Sequence, residues 1–396
     1  MTRFNRRLLI ILVPAIVLAM ALGGVMQFST SRALERAEAF EYRRMLVNKQ
    51  GEEGEYRFFF ATNRSVEQPD GAYPERFGNQ REALTFGRFD TDIEPSLGIG
   101  MIVDPTDWFQ NEEIQINKLR ELERDAFIVE LRSQVHASPY RSLLISVNGF
   151  RERFPSALRK TAFLAHVLDI NSPQLVFDWP GDQGSTPRGY RRAQTIARES
   201  GEELAQIIKL VIDEVQPERL WVLANSMGGE VVVQAFTALY RDPDFRDAET
   251  EIDGVVLTAP DVSHEQFGQQ FRDEITALAR NLTVYVSSND RALLMSRIVN
   301  RERRLGESTL NLSNPDQSDE AMKVFELVEP DSDRITVVDV TPINRTRNFH
   351  NFSLETPEFF DDLYLHFTNE DMPLSRPRYR VRTTDGTEYW VLTRGR

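Results

Sequence analysis

The chain has no cysteine. Thiolate nucleophiles, thiolate zinc sites, disulfides and cysteine-borne lipid anchors are therefore excluded. Histidine is scarce, with His136, His166, His264, His350 and His366 as the full set. No two of them show HxxxH or HExxH spacing. A histidine-built metal site has no support, and neither a metal nor an organic cofactor is expected. Positive charge is also short: 47 Lys and Arg stand against 61 Asp and Glu, a net charge of −14. That argues against a nucleic-acid partner, which would want a basic face, and disfavours broad adhesion to anionic lipid. No internal repeat is present.

Long apolar runs are absent but for one, the uncharged stretch from Leu8 to Phe28. About 21 residues at about 1.5 Å each span roughly 31 Å, the thickness of a bilayer core. Pro14 inside it is tolerable in a membrane helix. Arg3, Arg6 and Arg7 precede it and favour a cytoplasmic N-terminus with the rest exported. Residues 1–28 therefore read as a transmembrane anchor. The expected location is the cytoplasmic membrane, single-pass, with the main domain on the periplasmic or extracellular side. A cleaved signal peptide is the competing reading, with Ala19-Met20-Ala21 as a weak cleavage site. The length and the lack of a polar stop before Ser29 favour the anchor.

Residues 29–50 are charged and helix-favouring, a linker. Tyr56 to Ala61 is a short aromatic run, with a turn at Thr62-Asn63-Arg64. Gln68 to Asn79, with two prolines and two glycines, reads as a loop. Leu84 to Asp90 and Leu97 to Val103 read as strands, and Asp107 to Val135 as largely helical. From Ser142 strands and helices alternate. Strands are expected at Leu143–Val147, Gln174–Trp179, the run ending at Ala224, Gly254–Ala259, Leu282–Ser287 and Ile335–Val340. Helices are expected at Phe154–Ile170, over one long run from Tyr190 to Val215, and from Pro357. Apolar strands in that order imply a mostly parallel central sheet with helices on both faces. The main domain is expected over 51–370. The tail, 371–396, reads as a hairpin turning at Asp385-Gly386. Its first strand, Arg378-Tyr379-Arg380-Val381-Arg382, is basic. A solvated edge is preferred there to a phosphate- or lipid-contacting patch.

The chemistry centres on Leu220-Trp221-Val222-Leu223-Ala224-Asn225-Ser226-Met227-Gly228-Gly229. An apolar strand ends at a small residue, then come a polar residue, a serine, one more residue and two glycines, and a helical run follows. This is the strand–turn–helix that holds a nucleophilic serine clear of a sheet, with Ala224 where a glycine is usual. Serine needs a base to take its proton, and the base needs a carboxylate to orient it. After Ser226 the order should be acid, then histidine. His350 lies in a loop past the last expected strand and is favoured as base over His264 and His366. Asp290, after the second strand beyond the serine, is favoured as acid over Asp261, after the first. Asp178 could only line a pocket. The oxyanion donors expected are the backbone N–H groups of Met227 and Phe150. Asn148, Gly149, Trp179 and Asn225 are expected to surround the substrate.

These stretches resemble the α/β-hydrolase family of unknown function, DUF900, from about Tyr56 to Phe367. The matching runs are FFATNR within Phe58 to Arg64, VNGF at Val147 to Phe150, FDWPG at Phe177 to Gly181, and ANSMGG at Ala224 to Gly229. TAPDV at Thr258 to Val262, YVSSNDRAL at Tyr285 to Leu293 and HNF at His350 to Phe352 complete them. Members usually carry HGF and HSMG where this chain has Asn148-Gly149-Phe150 and Asn225-Ser226-Met227-Gly228. The resemblance implies an α/β-hydrolase fold, and Ser226, Asp290 and His350 as a triad. It implies no substrate.

The function expected is a membrane-anchored serine hydrolase, an esterase- or lipase-like acyl hydrolase acting on a small-molecule or lipid ester through an acyl-enzyme. The alternative is a catalytically inactive binding or scaffold protein on the same fold.

Overall fold

The computed structural model describes residues 47–50, 55–67, 76–93, 114–248, 252–307, 334–346, 350–368, 378–382 and 388–393. The expected anchor, most of the linker and the expected strand at Leu97–Val103 lie outside them. Among the described residues no helix is long and apolar enough to cross a membrane.

Among the described residues eleven strands form one sheet. They are β1 (Glu55–Val66), β2 (Phe77–Ile93), β3 (Ile114–Leu122), β4 (Ser142–Val147), β5 (Gln174–Asp178), β6 (Arg219–Asn225), β7 (Gly254–Thr258), β8 (Leu282–Val286), β9 (Ile335–Asp339), β10 (Arg378–Arg382) and β11 (Glu388–Leu392). Their order across the sheet is β10-β11-β9-β8-β7-β6-β4-β5-β1-β2-β3. Every pairing from β11 through to β1 is parallel, while β2, β3 and β10 join antiparallel at the two sides.

The main helices are α1 (Arg124–Ala137), α2 (Phe154–Leu168), α3 (Pro187–Glu199), α4 (Gly201–Leu210), α5 (Gly228–Arg241), α6 (Arg291–Asn300) and α7 (Pro357–Thr368). The middle strands are apolar without alternation because both faces are covered. One face carries α1, α3, α4 and α5, whose buried residues share one core with Leu143, Val222 and Val255. The other face carries α2 and α7, packed with Leu144, Trp221 and Val256.

Three local expectations change. The turn expected at Thr62–Arg64 is strand instead: β1 runs on to Val66, with register shifts on either side of Arg64. Long-range bonds from Thr62 and Arg64 to Asp178, at the end of the neighbouring β5, hold it there. The helical stretch expected over Asp107–Val135 is in its described part a strand, β3, followed by α1. Pairing with the long β2 overrides the local pattern. The single helix expected from Tyr190 to Val215 is broken at Ser200-Gly201, two weak helix formers, where the buried Ser200 hydroxyl meets Asn63 Nδ2 at 2.9 Å. The tail strands β10 and β11 pair antiparallel, and β11 lies parallel beside β9.

Candidate active site

Chain direction places the carboxyl ends of β4 to β9 at one edge of the sheet, where ligands bind in open parallel sheets. β6 ends there at Asn225, and Ser226 follows with φ +53°, a left-handed conformation for a residue with a side chain. Such a conformation is costly and persists only where neighbours enforce it. Here Ser226 N–H donates to Thr258 O at 2.9 Å, and Ser226 O accepts from Gly229 and Asp261, both at 3.0 Å. Helix α5 then starts close against β4. A Cβ on Gly228 would stand 2.5 Å from Val147 O and 2.7 Å from Asn148 O, so only glycine fits.

The loop after β4 folds over the serine. A Cβ on Gly149 would lie 2.9 Å from Ser226 Cβ and 3.5 Å from its Oγ. The backbone N–H groups of Met227 and Phe150 donate to no other group among the described residues. Trp179 is buried, and its indole N–H donates to Asn148 O at 2.8 Å, bracing that loop. The Phe150 ring meets Tyr190 edge-on at 5.5 Å.

Asp290 follows β8 and caps α6, its Oδ1 accepting the N–H groups of Ala292 and Leu293. Its other oxygen faces His350 Nδ1 at 2.7 Å. The imidazole is 14 % exposed and the carboxylate fully buried. Burial works against the imidazolium, but the Asp290 carboxylate outweighs it, and His350 is left with a pKa above the usual histidine value. The His350 segment is tied to the serine turn by Asn225 Nδ2, which donates to Ser353 Oγ at 3.0 Å and to Thr258 Oγ1 at 2.9 Å. No hydrogen bond joins Ser226 Oγ to His350 among the described residues. Such contacts are often long before substrate binds. A cavity of about 40 Å³ lies beside Asn148, Asn225, Ser353 and Lys160, with Asn148 Nδ2 unpaired among the described residues. It has room for a few waters only.

Asp261, the less favoured acid, is engaged elsewhere. It accepts from Arg304 Nε, Ser296 Oγ and Tyr190 O–H, each at 2.6 Å. Asp178 is buried against Arg64, whose guanidinium is also buried. Thr62 Oγ1 donates to the same carboxylate at 2.9 Å. Arg64 Nη2 further donates to Glu152 O at 2.7 Å and Trp179 O at 2.8 Å. It thus ties the loop that carries Gly149 to the loop after β5. In the sequence Arg64 stands out only as part of a motif, and its role is a contact 114 residues away. Among the described residues no group of three potential metal ligands comes together.

The chain matches the family described as an alpha/beta hydrolase of unknown function (DUF900) over residues 123–361, more than half its length. No curated protein shows a match. Among solved structures it is similar to an uncharacterized protein from Bacillus cereus, at 15 % identity and TM-score 0.31, covering 56 % of this chain and 60 % of that one. It is similar to an inhibited esterase B from Lactobacillus rhamnosis, at 11 % identity and TM-score 0.33, covering 88 % and 95 %. It is also similar to a lipase-esterase related protein from Clostridium acetobutylicum, at 12 % identity and TM-score 0.28, covering 59 % and 94 %. With the extent of that family match, and a parallel sheet whose carboxyl edge carries the Ser226 turn, the chain belongs to the DUF900 family of alpha/beta hydrolases.

Proposed function

We propose that the protein is a serine hydrolase that cleaves a small ester through an acyl-enzyme. Ser226 Oγ attacks the ester carbonyl as its proton passes to His350 Nε2. The Met227 and Phe150 N–H groups receive the developing oxyanion. His350 returns the proton to the alcohol as the C–O bond breaks. Water then attacks the acyl-serine by the same route, releasing acid and free enzyme. Asp290 fixes the imidazole tautomer through Nδ1 and stabilises its charged form. What most supports the reading is the 2.7 Å contact between His350 and Asp290, 60 residues apart, at the edge where Ser226 is held left-handed. An anchor at residues 1–28 would place this chemistry on the exported face of the cytoplasmic membrane, with a soluble or lipid ester as substrate and no nucleic-acid partner.

Fluorophosphonate labelling of the full chain in neutral detergent tests the proposal. Labelling should vanish in Ser226→Ala and His350→Ala. A well-folded wild type that takes no label would instead favour a binding protein on this fold.

A further inference from the structure

A larger cavity opens at the opposite edge of the sheet. It measures about 410 Å³. Arg219 begins β6, Asp253 precedes β7, and Arg280 precedes β8; Arg378 begins β10, and His366 stands in the last turn of α7. Trp221 and Phe367, stacked at 4.8 Å between centroids, form part of the wall. Arg219 and Asn225 are the two ends of one strand, so this cavity and Ser226 are roughly 20 Å apart.

Three arginines and two aspartates line it in a chain whose net charge is −14. Asp362 is already taken: it accepts from Arg378 Nη2 at 2.7 Å and from Tyr285 O–H at 2.6 Å. Asp253 accepts Leu220 N–H at 2.8 Å and faces Arg280 at 3.4 Å. Arg219 lies over the Tyr140 ring at 5.5 Å, which orients the guanidinium without neutralising it. The carbonyl end of α7 disfavours an anion at His366 itself. We propose that this cavity is a second ligand site, which takes a phosphate group between Arg219 and Arg280. Planar guanidinium forks match phosphate oxygens, and the volume suits a small molecule or one lipid headgroup. The same edge receives the start of the described chain. Val47 N–H meets Asn171 Oδ1 at 2.8 Å, and Lys49 pairs with Tyr56 as β1 begins. A membrane-borne segment before residue 47 would leave the domain from this edge, whereas a soluble phosphate ester could reach the cavity in either case. The site does not depend on the role of Ser226.

The test is thermal unfolding of the full chain in neutral detergent, titrated with glycerol 3-phosphate and, separately, with dihexanoylphosphatidylglycerol. A saturable rise in Tm with the first assigns a soluble phosphate ester. A rise with the second alone assigns a lipid headgroup. Arg219→Gln and the exposed Arg280→Gln should each weaken apparent affinity about tenfold. Asp253→Asn, which removes the competing carboxylate, should tighten it. All three variants should keep wild-type fluorophosphonate labelling or, if the chain takes no label, wild-type circular dichroism. No rise with either ligand, a rise matched by sodium chloride at equal ionic strength, or a rise that survives both arginine variants would overturn the site.

Discussion

Gly149→Ala asks whether the loop after β4 is part of the reacting machinery. The new Cβ would sit 2.9 Å from Ser226 Cβ and 3.1 Å from Asn225 O. Carbon atoms prefer about 3.5–4.0 Å, so roughly 0.6–1 Å must be found somewhere. The serine turn cannot supply it, because Gly228 is already pressed against Val147 O and Asn148 O. The Asn148–Phe150 loop must therefore move outward and carry the Phe150 N–H with it. Overpacking of this kind costs about 1–3 kcal/mol of stability. The chemical loss should be larger: displacing a catalytic donor by about 1 Å, or losing one oxyanion donor, costs on the order of 10²–10³-fold in rate. The assay is the second-order rate constant for fluorophosphonate labelling, read beside a urea unfolding curve. A folded Gly149→Ala that labels within about threefold of wild type would refute the contact's role.

The same geometry sets other outcomes. Because Asp290 raises His350, and only the neutral imidazole can accept the serine proton, the acid limb of kcat/KM should lie above pH 6.5, the usual histidine value. Asp290→Asn should move that limb down and cut the rate by about 10³–10⁴-fold, measured by ester hydrolysis across pH. For stability the sign is opposite. The charged pair's contribution is complete below the unfolded histidine pKa and is lost as pH rises through the raised folded value, which unfolding curves at several pH values would show. Arg64→Ala would leave Asp178 buried and unpaired, and should cost about 3–5 kcal/mol in urea unfolding. Ser226→Gly should be more stable than Ser226→Ala by about 1 kcal/mol, since glycine accepts φ +53° without strain; equal stabilities would mean that the turn is not strained.

The Ser226 turn is legible because its signal is local: an apolar strand, a serine between small residues and a helix, all within one short stretch. Asp290 and His350 are singled out as candidates by order along the chain, and their side chains lie 2.7 Å apart. Strand order alone separates Asp261 from Asp290 in the sequence, and what engages Asp261, Arg304 and Tyr190, comes from distant segments that no local pattern links to it. Arg64 is hidden for the same reason. Ile114–Leu122 misleads because its spacing of Ile and Leu fits helix or strand, and only pairing with β2 decides. Ser200-Gly201 does carry a local signal, a pair of weak helix formers inside a helical run, but the apolar spacing on either side outweighs it.

The ion pair between Arg64 and Asp178 has a consequence for where the folding unit ends. The family match over 123–361 leaves out Arg64, which lies well upstream of it, on a strand inserted between β5 and β2. Cutting the chain back to 123–361 would strip the cation from a buried carboxylate and lay bare the edge of β5. The loops held by Glu152 O and Trp179 O would lose their shared clamp at the same time. Residues from about 55 onward therefore belong to any fragment meant to fold, and the span of the family match is too short by at least one strand.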